Sequence, residues 1–204
     1  MNTSLRVSLN TSADEAVKLR QLQAVFATVC NSLAPMVQKT KVWNRVALHH
    51  MAYKPLREQF PQLGSQMVCN AIYSVSRHSR LLYQHPNSPF NLAKLGSRPL
   101  PLLRFADTAP VYFDRHTLSI KGGALSLYTL DGRMRFEVGL RPEDENNFRD
   151  KKLREVVLSR GANDRFELAF LFAEEEGDDQ KPGDPAGAAH IPEYMAVEEK
   201  NELN

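Results

Sequence analysis

The chain has 204 residues, of which 42% are hydrophobic and 25% charged, proportions typical of a globular protein. No apolar run reaches the roughly 20 residues that span a bilayer, so we expect no membrane association and a cytoplasmic location. The last 31 residues carry ten acidic and two basic side chains, whereas the first 173 carry 24 Lys and Arg against 14 Asp and Glu. A cationic body of this kind favours polyanionic partners. The alternative is a well-solvated surface whose charge the tail balances.

Residues 1–11 predict a strand, because apolar residues occupy every second position. One short strand cannot stand alone, so it needs partners from later in the chain. Residues 12–84 then predict three helices that form a small bundle. The first begins at the capping-box sequence of Ser12 and Glu15. Its apolar stripe ends near Pro35, and a basic, aromatic connector follows from Gln38 to Asn44.

The second helix follows its predicted cap, Asn44, and extends to about Gln59, with a kink or interruption at Pro55. Ser65 is the predicted cap of the third helix. Residues 85–101 are rich in Pro, Ser and Asn and predict a linker between the helical bundle and the next part of the chain.

Residues 102–173 contain short alternating runs broken by turn residues, which predict antiparallel strands. Asp131-Gly132 and Lys121-Gly122-Gly123 are tight-turn sequences between neighbouring strands. The predicted strands are Leu103 to Phe105, Val111 to Phe113, Leu118 to Ile120, Leu125 to Thr129, Arg133 to Val138, Glu155 to Ser159 and Phe166 to Phe172. Several short strands at regular spacing favour a small β-barrel. We therefore predict an α+β fold, in which the helices are inserted into a barrel that begins with residues 1–11.

Residues 174–204 are rich in acidic residues, Pro and Gly and predict a disordered tail, because such a segment buries too little apolar surface to offset its ordering entropy. The two cysteines, Cys30 and Cys69, lie within apolar helical patterns. This placement favours reduced, packed thiols over a disulfide or a metal pair. We expect no cofactor and no bound metal.

Five segments of the chain resemble the front region of TnpB proteins, which are transposon-encoded RNA-guided DNA nucleases related to the type V CRISPR effectors. The resemblance spans roughly residues 4–172, and its order across two subdomains is more specific than any one motif. The segments are Leu48 to Phe60, Leu63 to Ile72, Val111 to Gly122, Leu125 to Arg133 and Phe166 to Phe172.

The resemblance implies a wedge domain, which is an oligonucleotide-binding-like barrel, over residues 102–173, with a helical recognition insertion over residues 12–84. It also implies that this region grips a structured guide RNA, helps read a short motif beside the target DNA, and holds the duplex of guide and target. A full family member continues into a ribonuclease H-type nuclease domain with acidic metal ligands. The acids of residues 174–184 have no predicted strands to hold two metal ions about 4 Å apart. We therefore expect a binding subunit without nuclease activity in cis.

The candidate nucleic-acid-binding residues combine cations for phosphates with flat groups for bases. The connector before the second helix supplies Lys39, Lys41, Trp43 and Arg45, and that helix supplies Lys54 and Arg57. The third helix supplies Gln66, Asn70, Tyr73, Arg77 and Arg80, which recur at helical spacing opposite the apolar stripe. The predicted strands and turns supply Arg104, Arg115, Lys121 and Arg133. Two alternatives stay open: Trp43 packs beneath the bundle, and the third-helix face is merely solvated.

Three functions are consistent with these residues. The first is a non-catalytic subunit that binds guide RNA and target DNA, while a separate nuclease or effector protein docks on its acidic tail or barrel. The second is a DNA-binding transcriptional repressor that uses no guide. The third is a small ribonuclease that uses His49 or His50. These two histidines cannot both face one metal ion, because adjacent residues lie about 100 degrees apart on a helix.

Overall fold

The computed structural model describes residues 3–173 and 190–199, which form an α+β fold with antiparallel sheets. The chain divides into two compact units. Unit 1 comprises Met1–Gln23 and Pro110–Asp184, and unit 2 comprises Ala24–Ala109 and Pro185–Asn204. No helix in the described ranges is long and apolar enough to cross a membrane.

The helices and strands are numbered in chain order. The helices are α1 (Ala13–Thr40), α2 (Arg45–Gln59), α3 (Ser65–Tyr83), α4 (Leu92–Leu95) and α5 (Pro142–Asp150). The strands are β1 (Thr3–Ser8), β2 (Leu102–Phe105), β3 (Val111–Phe113), β4 (Leu118–Lys121), β5 (Ala124–Thr129), β6 (Gly132–Glu137), β7 (Lys152–Arg160), β8 (Phe166–Ala173) and β9 (Met195–Glu198).

Unit 1 contains two antiparallel sheets. In the first, the strand order is β1-β8-β7-β3, so the first strand of the chain pairs with β8, far along the sequence, as the unpartnered pattern of residues 1–11 predicts. The alternate side chains of β8 are fully buried, and the ring of Phe148 on α5 packs edge-on against Phe170 and Phe172 at 5.0 and 4.9 Å. This aromatic cluster forms the centre of the unit.

The second sheet of unit 1 has the order β4-β5-β6 and contains both turns that the sequence predicts. Gly122 and Gly123 have φ values of 58° and 76°, and Gly132 has a φ of 106°. These backbone conformations favour glycine because a Cβ atom is strained there. The apolar side chains of the sheet are buried on one face, and the polar ones lie on the other.

In unit 2, α3 lies at the centre. Twelve of its 19 residues are buried, and contacts reach it from several neighbours. The Cys30 thiol of α1 lies 3.9 Å from the carbonyl oxygen of Ala71, and the hydroxyl of Ser76 donates to the carbonyl oxygen of Trp43 at 2.6 Å. The two-stranded sheet β2-β9 completes the unit.

Several details differ from the sequence predictions. No sheet formed by the described strands closes into a barrel, and β2, where the predicted barrel resumes after the helices, pairs with β9 in unit 2. The predicted disordered tail is wrong for residues 190–199, which contain β9; residues 174–189 and 200–204 lie outside the described ranges. The cap of α3 is Gly64 without a side-chain bond, instead of Ser65.

Neither proline ends its helix. Pro35 lies within α1, which continues to Thr40, and Pro55 lies within an unbroken α2. Both prolines are exposed, so the backbone hydrogen bond that each proline removes is missing at the surface and not in the core. Buried residues closely follow the two prolines, namely Val37 and Leu56, so tertiary packing offsets the cost of about 3 kcal/mol that proline imposes on a helix interior.

Candidate nucleic-acid interface

The fifteen candidate residues fall into both units. Arg115, Lys121 and Arg133 belong to unit 1, and the other twelve belong to unit 2. Residues 24–109 of unit 2 contain ten Lys and Arg against two acidic residues, Glu58 and Asp107. Within residues 1–173, the positive charge is therefore concentrated in residues 24–109 of unit 2, where a polyanion would be attracted most strongly.

Trp43 does not present its ring to solvent. Its side chain is 8% exposed, and its ring centroid lies 5.2 Å from that of Tyr83 at a tilt of 40°. The alternative in which Trp43 packs beneath the bundle is therefore the correct one, and this ring is not available to stack on a base. Its neighbours Lys39 and Lys41 are exposed. Lys41 has a φ of 56° and donates its backbone NH to the carbonyl oxygen of Val37 at 2.8 Å, which caps the C-terminus of α1.

The predicted exposed face of α3 is only partly present. Asn70 is 7% exposed, and its amide contacts the sulfur of Met67 at 3.6 Å, so its placement on an exposed face is wrong. The remaining four residues of that set are half-buried: Gln66, Tyr73, Arg77 and Arg80. The physical reason is that neighbouring elements cover α3 on more than one side, which helical periodicity alone does not show.

Exposed Arg45 and half-buried side chains of α2 and α3 form a mixed aromatic and cationic group. The guanidinium of Arg45 lies 5.6 Å from the ring centroid of Tyr73 on α3, a cation–π geometry. The rings of His49 and Tyr53 stack at 4.7 Å with an interplanar angle of 17°. Arg45, His49 and Tyr53 share one face of α2 because they are spaced four residues apart. Arg77 is half-buried and follows Tyr73 by four positions on α3, so it shares a helix face with this ring. We call Arg45, His49, Tyr53, Tyr73 and Arg77 the α2–α3 strip.

Two further candidates flank this strip on α2. Arg57 is half-buried and donates from Nη1 to the carbonyl oxygen of Leu63 at 2.6 Å, which ties the end of α2 to the following turn. Lys54 is exposed on the outer surface of α2. Arg57 thus has a structural role in the turn, whereas Lys54 keeps its ammonium group in solvent.

Arg104 on β2 pairs with an acid from the C-terminal segment. Its Nε lies 3.4 Å from Oε1 of Glu198, and both side chains are at least half exposed. An exposed pair of this kind stabilises a protein by about 1 kcal/mol or less. The pair nevertheless lowers the local positive charge at Arg104.

The unit 1 candidates lie around the β4-β5-β6 sheet. Arg115 and Lys121 are exposed at its turns. Arg133 is exposed but held in place, because its guanidinium donates to the Ser126 hydroxyl at 2.8 Å and to the Ser126 carbonyl oxygen at 3.1 Å. Opposite Arg133 in the strand register is Tyr128, which is half-buried. This sheet face offers a second, smaller combination of a cation and an aromatic ring.

Three aromatic side chains of these surfaces, His49, Tyr53 and Tyr128, are absent from the set of binding residues predicted from the sequence. The four-residue spacing of Arg45, His49 and Tyr53 is a signal that could have found the first two. The ring of His50 lies nearly perpendicular to that of His49 at 6.2 Å. Within the described residues, no group of three or more His, Cys, Asp or Glu side chains is arranged to hold a metal ion.

Comparison with protein-family models and with curated proteins finds no match for this chain. The likeness to TnpB proteins therefore depends on the sequence segments themselves, and a proposal about function depends on the residues and their geometry.

Proposed function

We propose that this protein binds structured or guide RNA, together with target DNA, without cleaving either. The observation that carries the proposal is the charge of residues 24–109, with ten basic and two acidic side chains, next to the half-exposed rings of the α2–α3 strip. Phosphates are bound by Lys and Arg, and unpaired bases stack on aromatic side chains. The strip supplies both kinds of group within one pair of packed helices.

The likeness to TnpB proteins supports the same proposal from another direction. In such a protein the two sheets of unit 1, which form no closed barrel, would correspond to the wedge region, and the helices of residues 12–84 would correspond to the recognition insertion. The chain would then act as a cytoplasmic ribonucleoprotein scaffold, on which a separate nuclease or effector protein docks.

The first experiment is purification of the protein from cells, followed by sequencing of any RNA that remains bound. A discrete RNA population that ribonuclease removes is the expected result. Protein that carries no RNA but shifts duplex DNA would instead favour the guide-independent repressor. RNA shortened during incubation with the purified protein, but not with a His49→Ala, His50→Ala variant, would favour the ribonuclease.

The second experiment locates binding on the α2–α3 strip. Arg45→Ala and Arg77→Ala should each weaken binding of the co-purified RNA and lower the dependence of log K on log salt by about 0.7 to 0.9 per lost phosphate contact. Lys94→Ala on the one-turn helix α4 is the matched control, because it removes the same charge from unit 2 outside the strip. Equal effects of all three substitutions would contradict a localised interface and indicate unspecific attraction.

The aromatic contribution is tested separately from charge. Replacement of Tyr53 by Leu keeps an apolar side chain on α2 but removes the flat ring. If one base stacks there, the free energy of binding to single-stranded RNA should become less favourable by about 1 to 3 kcal/mol, and the salt dependence of binding should stay unchanged. Unaltered affinity would show that Tyr53 does not stack on the RNA. It would not affect the conclusion from the arginine substitutions.

A further inference from the structure

The C-terminal segment of the chain is bound to unit 2 as an added strand. Residues 195–198 pair antiparallel with β2, with Phe105 opposite Met195 and Leu102 opposite Glu198. The backbone NH of Ala106 extends the pairing by donating to the carbonyl oxygen of Tyr194 at 2.8 Å. A strand from the far end of the sequence therefore occupies one edge of β2.

β2 is fixed by contacts that do not involve this segment. The side-chain amide of Asn31 on α1 accepts from the backbone NH of Phe105 at 2.7 Å and donates to its carbonyl oxygen at 2.9 Å. Just before β2, Gln38 donates to the carbonyl oxygen of Leu100 at 2.9 Å, and the Tyr83 hydroxyl donates to that of Pro101 at 2.6 Å. These bonds hold the strand on the α1 side, so its other edge is a preformed template for an extended peptide.

A buried histidine beside this edge recognises one residue of the segment. His78 on α3 is 4% exposed. Its Nδ1 lies 2.7 Å from the carbonyl oxygen of Ser74, and since a carbonyl only accepts, Nδ1 carries the proton. Nε2 is then an acceptor, and the Tyr194 hydroxyl donates to it at 2.8 Å. A peptide without a hydroxyl at this position would lose the hydrogen bond to Nε2 of His78.

Two more residues of the segment make specific contacts. Met195 is 5% exposed, so the segment buries an apolar side chain here. Glu198 reaches Arg104 at 3.4 Å. Between them, the side chain of Ala196 is exposed. The site thus selects a hydroxylated aromatic residue, then an apolar one, and an acidic residue three positions further on.

We propose that the β2 edge and His78 form a docking site for extended peptides of the pattern Tyr, apolar, any, any, acidic, and that residues 190–199 are its built-in occupant. The pairing covers four residues, and Met195 is the one buried residue among residues 190–199, so few contacts hold this segment on β2. The built-in segment is therefore exchangeable with a peptide of the same pattern. This inference does not depend on nucleic-acid binding.

The test uses the complete chain, with a protease site inserted between residues 177 and 184 and cleaved after folding, so that both fragments are present. The probe is a fluorescently labelled peptide of residues 190–199. The expected result is saturable binding of the peptide with release of the C-terminal fragment. A peptide with Tyr194→Phe should bind roughly tenfold or more weakly, because the acceptor of His78 loses its partner. A peptide with Ala196→Ser, altered at an exposed position, is the matched control and should bind like the natural one.

A second measurement needs no cleavage. In the intact chain, Tyr194→Phe weakens the built-in competitor, so the unaltered labelled peptide should bind this variant more tightly than it binds the natural protein. If Tyr194 merely stabilises the fold, the substitution would not raise peptide affinity. The proposal is overturned if neither the cleaved protein nor the Tyr194→Phe variant takes up peptide, or if the Phe and Tyr peptides bind equally.

Discussion

The buried His78 makes the stability of unit 2 depend on pH in a defined way. The pKa of His78 is lowered from its ordinary value of 6.5 to about 4, chiefly by burial; the bond to the Ser74 carbonyl opposes the shift, and the positive charge of Arg77 contributes to it. In the unfolded chain the imidazole regains its ordinary pKa, so between these two values the unfolded state binds the extra proton. Stability is therefore fully present above about pH 6.5 and is lost as the pH falls towards 4.

The magnitude follows from the two pKa values. Their difference corresponds to roughly 3 kcal/mol in total, at 1.36 kcal/mol for each pH unit. About 2 kcal/mol of this is lost between pH 7 and pH 5. The main cause is burial, because the protonated imidazole places a charge among buried groups. Protonation also gives Nε2 a proton, so this nitrogen no longer accepts from the Tyr194 hydroxyl.

Urea unfolding measured at pH 7 and pH 5 tests this number. The chain has one tryptophan, Trp43, which is buried in unit 2, so its fluorescence reports on the unit that contains His78. Other groups also titrate, and the His78→Gln variant removes only the contribution of this histidine. The free energy of unfolding of the natural protein should change with pH by about 2 kcal/mol more than that of the variant. Equal pH dependence of the two proteins, or an NMR titration of His78 near pH 6.5 in the folded state, would refute the reasoning.

Three further predictions concern other parts of unit 2. Burial raises the pKa of the Cys30 thiol to about 12, so in a Cys69→Ser background iodoacetamide should label Cys30 only as fast as the protein unfolds; rapid labelling in the folded state would contradict this. Glu198→Gln should strengthen RNA binding and steepen its salt dependence by about 0.7 to 0.9 if Arg104 contacts a phosphate, and the effect should vanish in an Arg104→Ala background. Asn31→Ala leaves two backbone groups of one β2 residue without this partner, so it should lower the free energy of unfolding by roughly 2 kcal/mol or more; an unchanged free energy of unfolding would contradict this.

Local features of the fold could be predicted from the sequence because neighbouring residues determine them. In the capping box, the backbone NH of Ser12 donates to the carboxylate of Glu15 at 2.9 Å, and the NH of Glu15 donates to the Ser12 hydroxyl at 3.2 Å. Asn44 accepts from two backbone NH groups of α2, as a cap does. All seven strands predicted between residues 102 and 173 are present, with bounds that differ by a few residues.

Predictions that relied on solvent exposure were less successful. The polar spacing on α3 predicts an exposed face, yet Asn70 is buried and the other members are half-buried. Likewise, Trp43 and Lys41 are close in sequence, but one is buried and the other exposed. A helix has the same periodicity whether one neighbour or several cover it, so the exposed part of a candidate interface depends on packing partners distant in sequence.

The amino-acid sequence by itself determined the starts of α1 and α2, the glycine turns and the positive charge of residues 1–173, because each follows from residue type or from contacts within a few positions. Only the tertiary structure decided that His78 meets Tyr194, 116 positions away, and that an acidic segment near the C-terminus becomes a strand on β2. Such pairings depend on how the whole chain brings distant backbone edges together. Many residues contribute to the free energy that selects them, so no single local pattern predicts them.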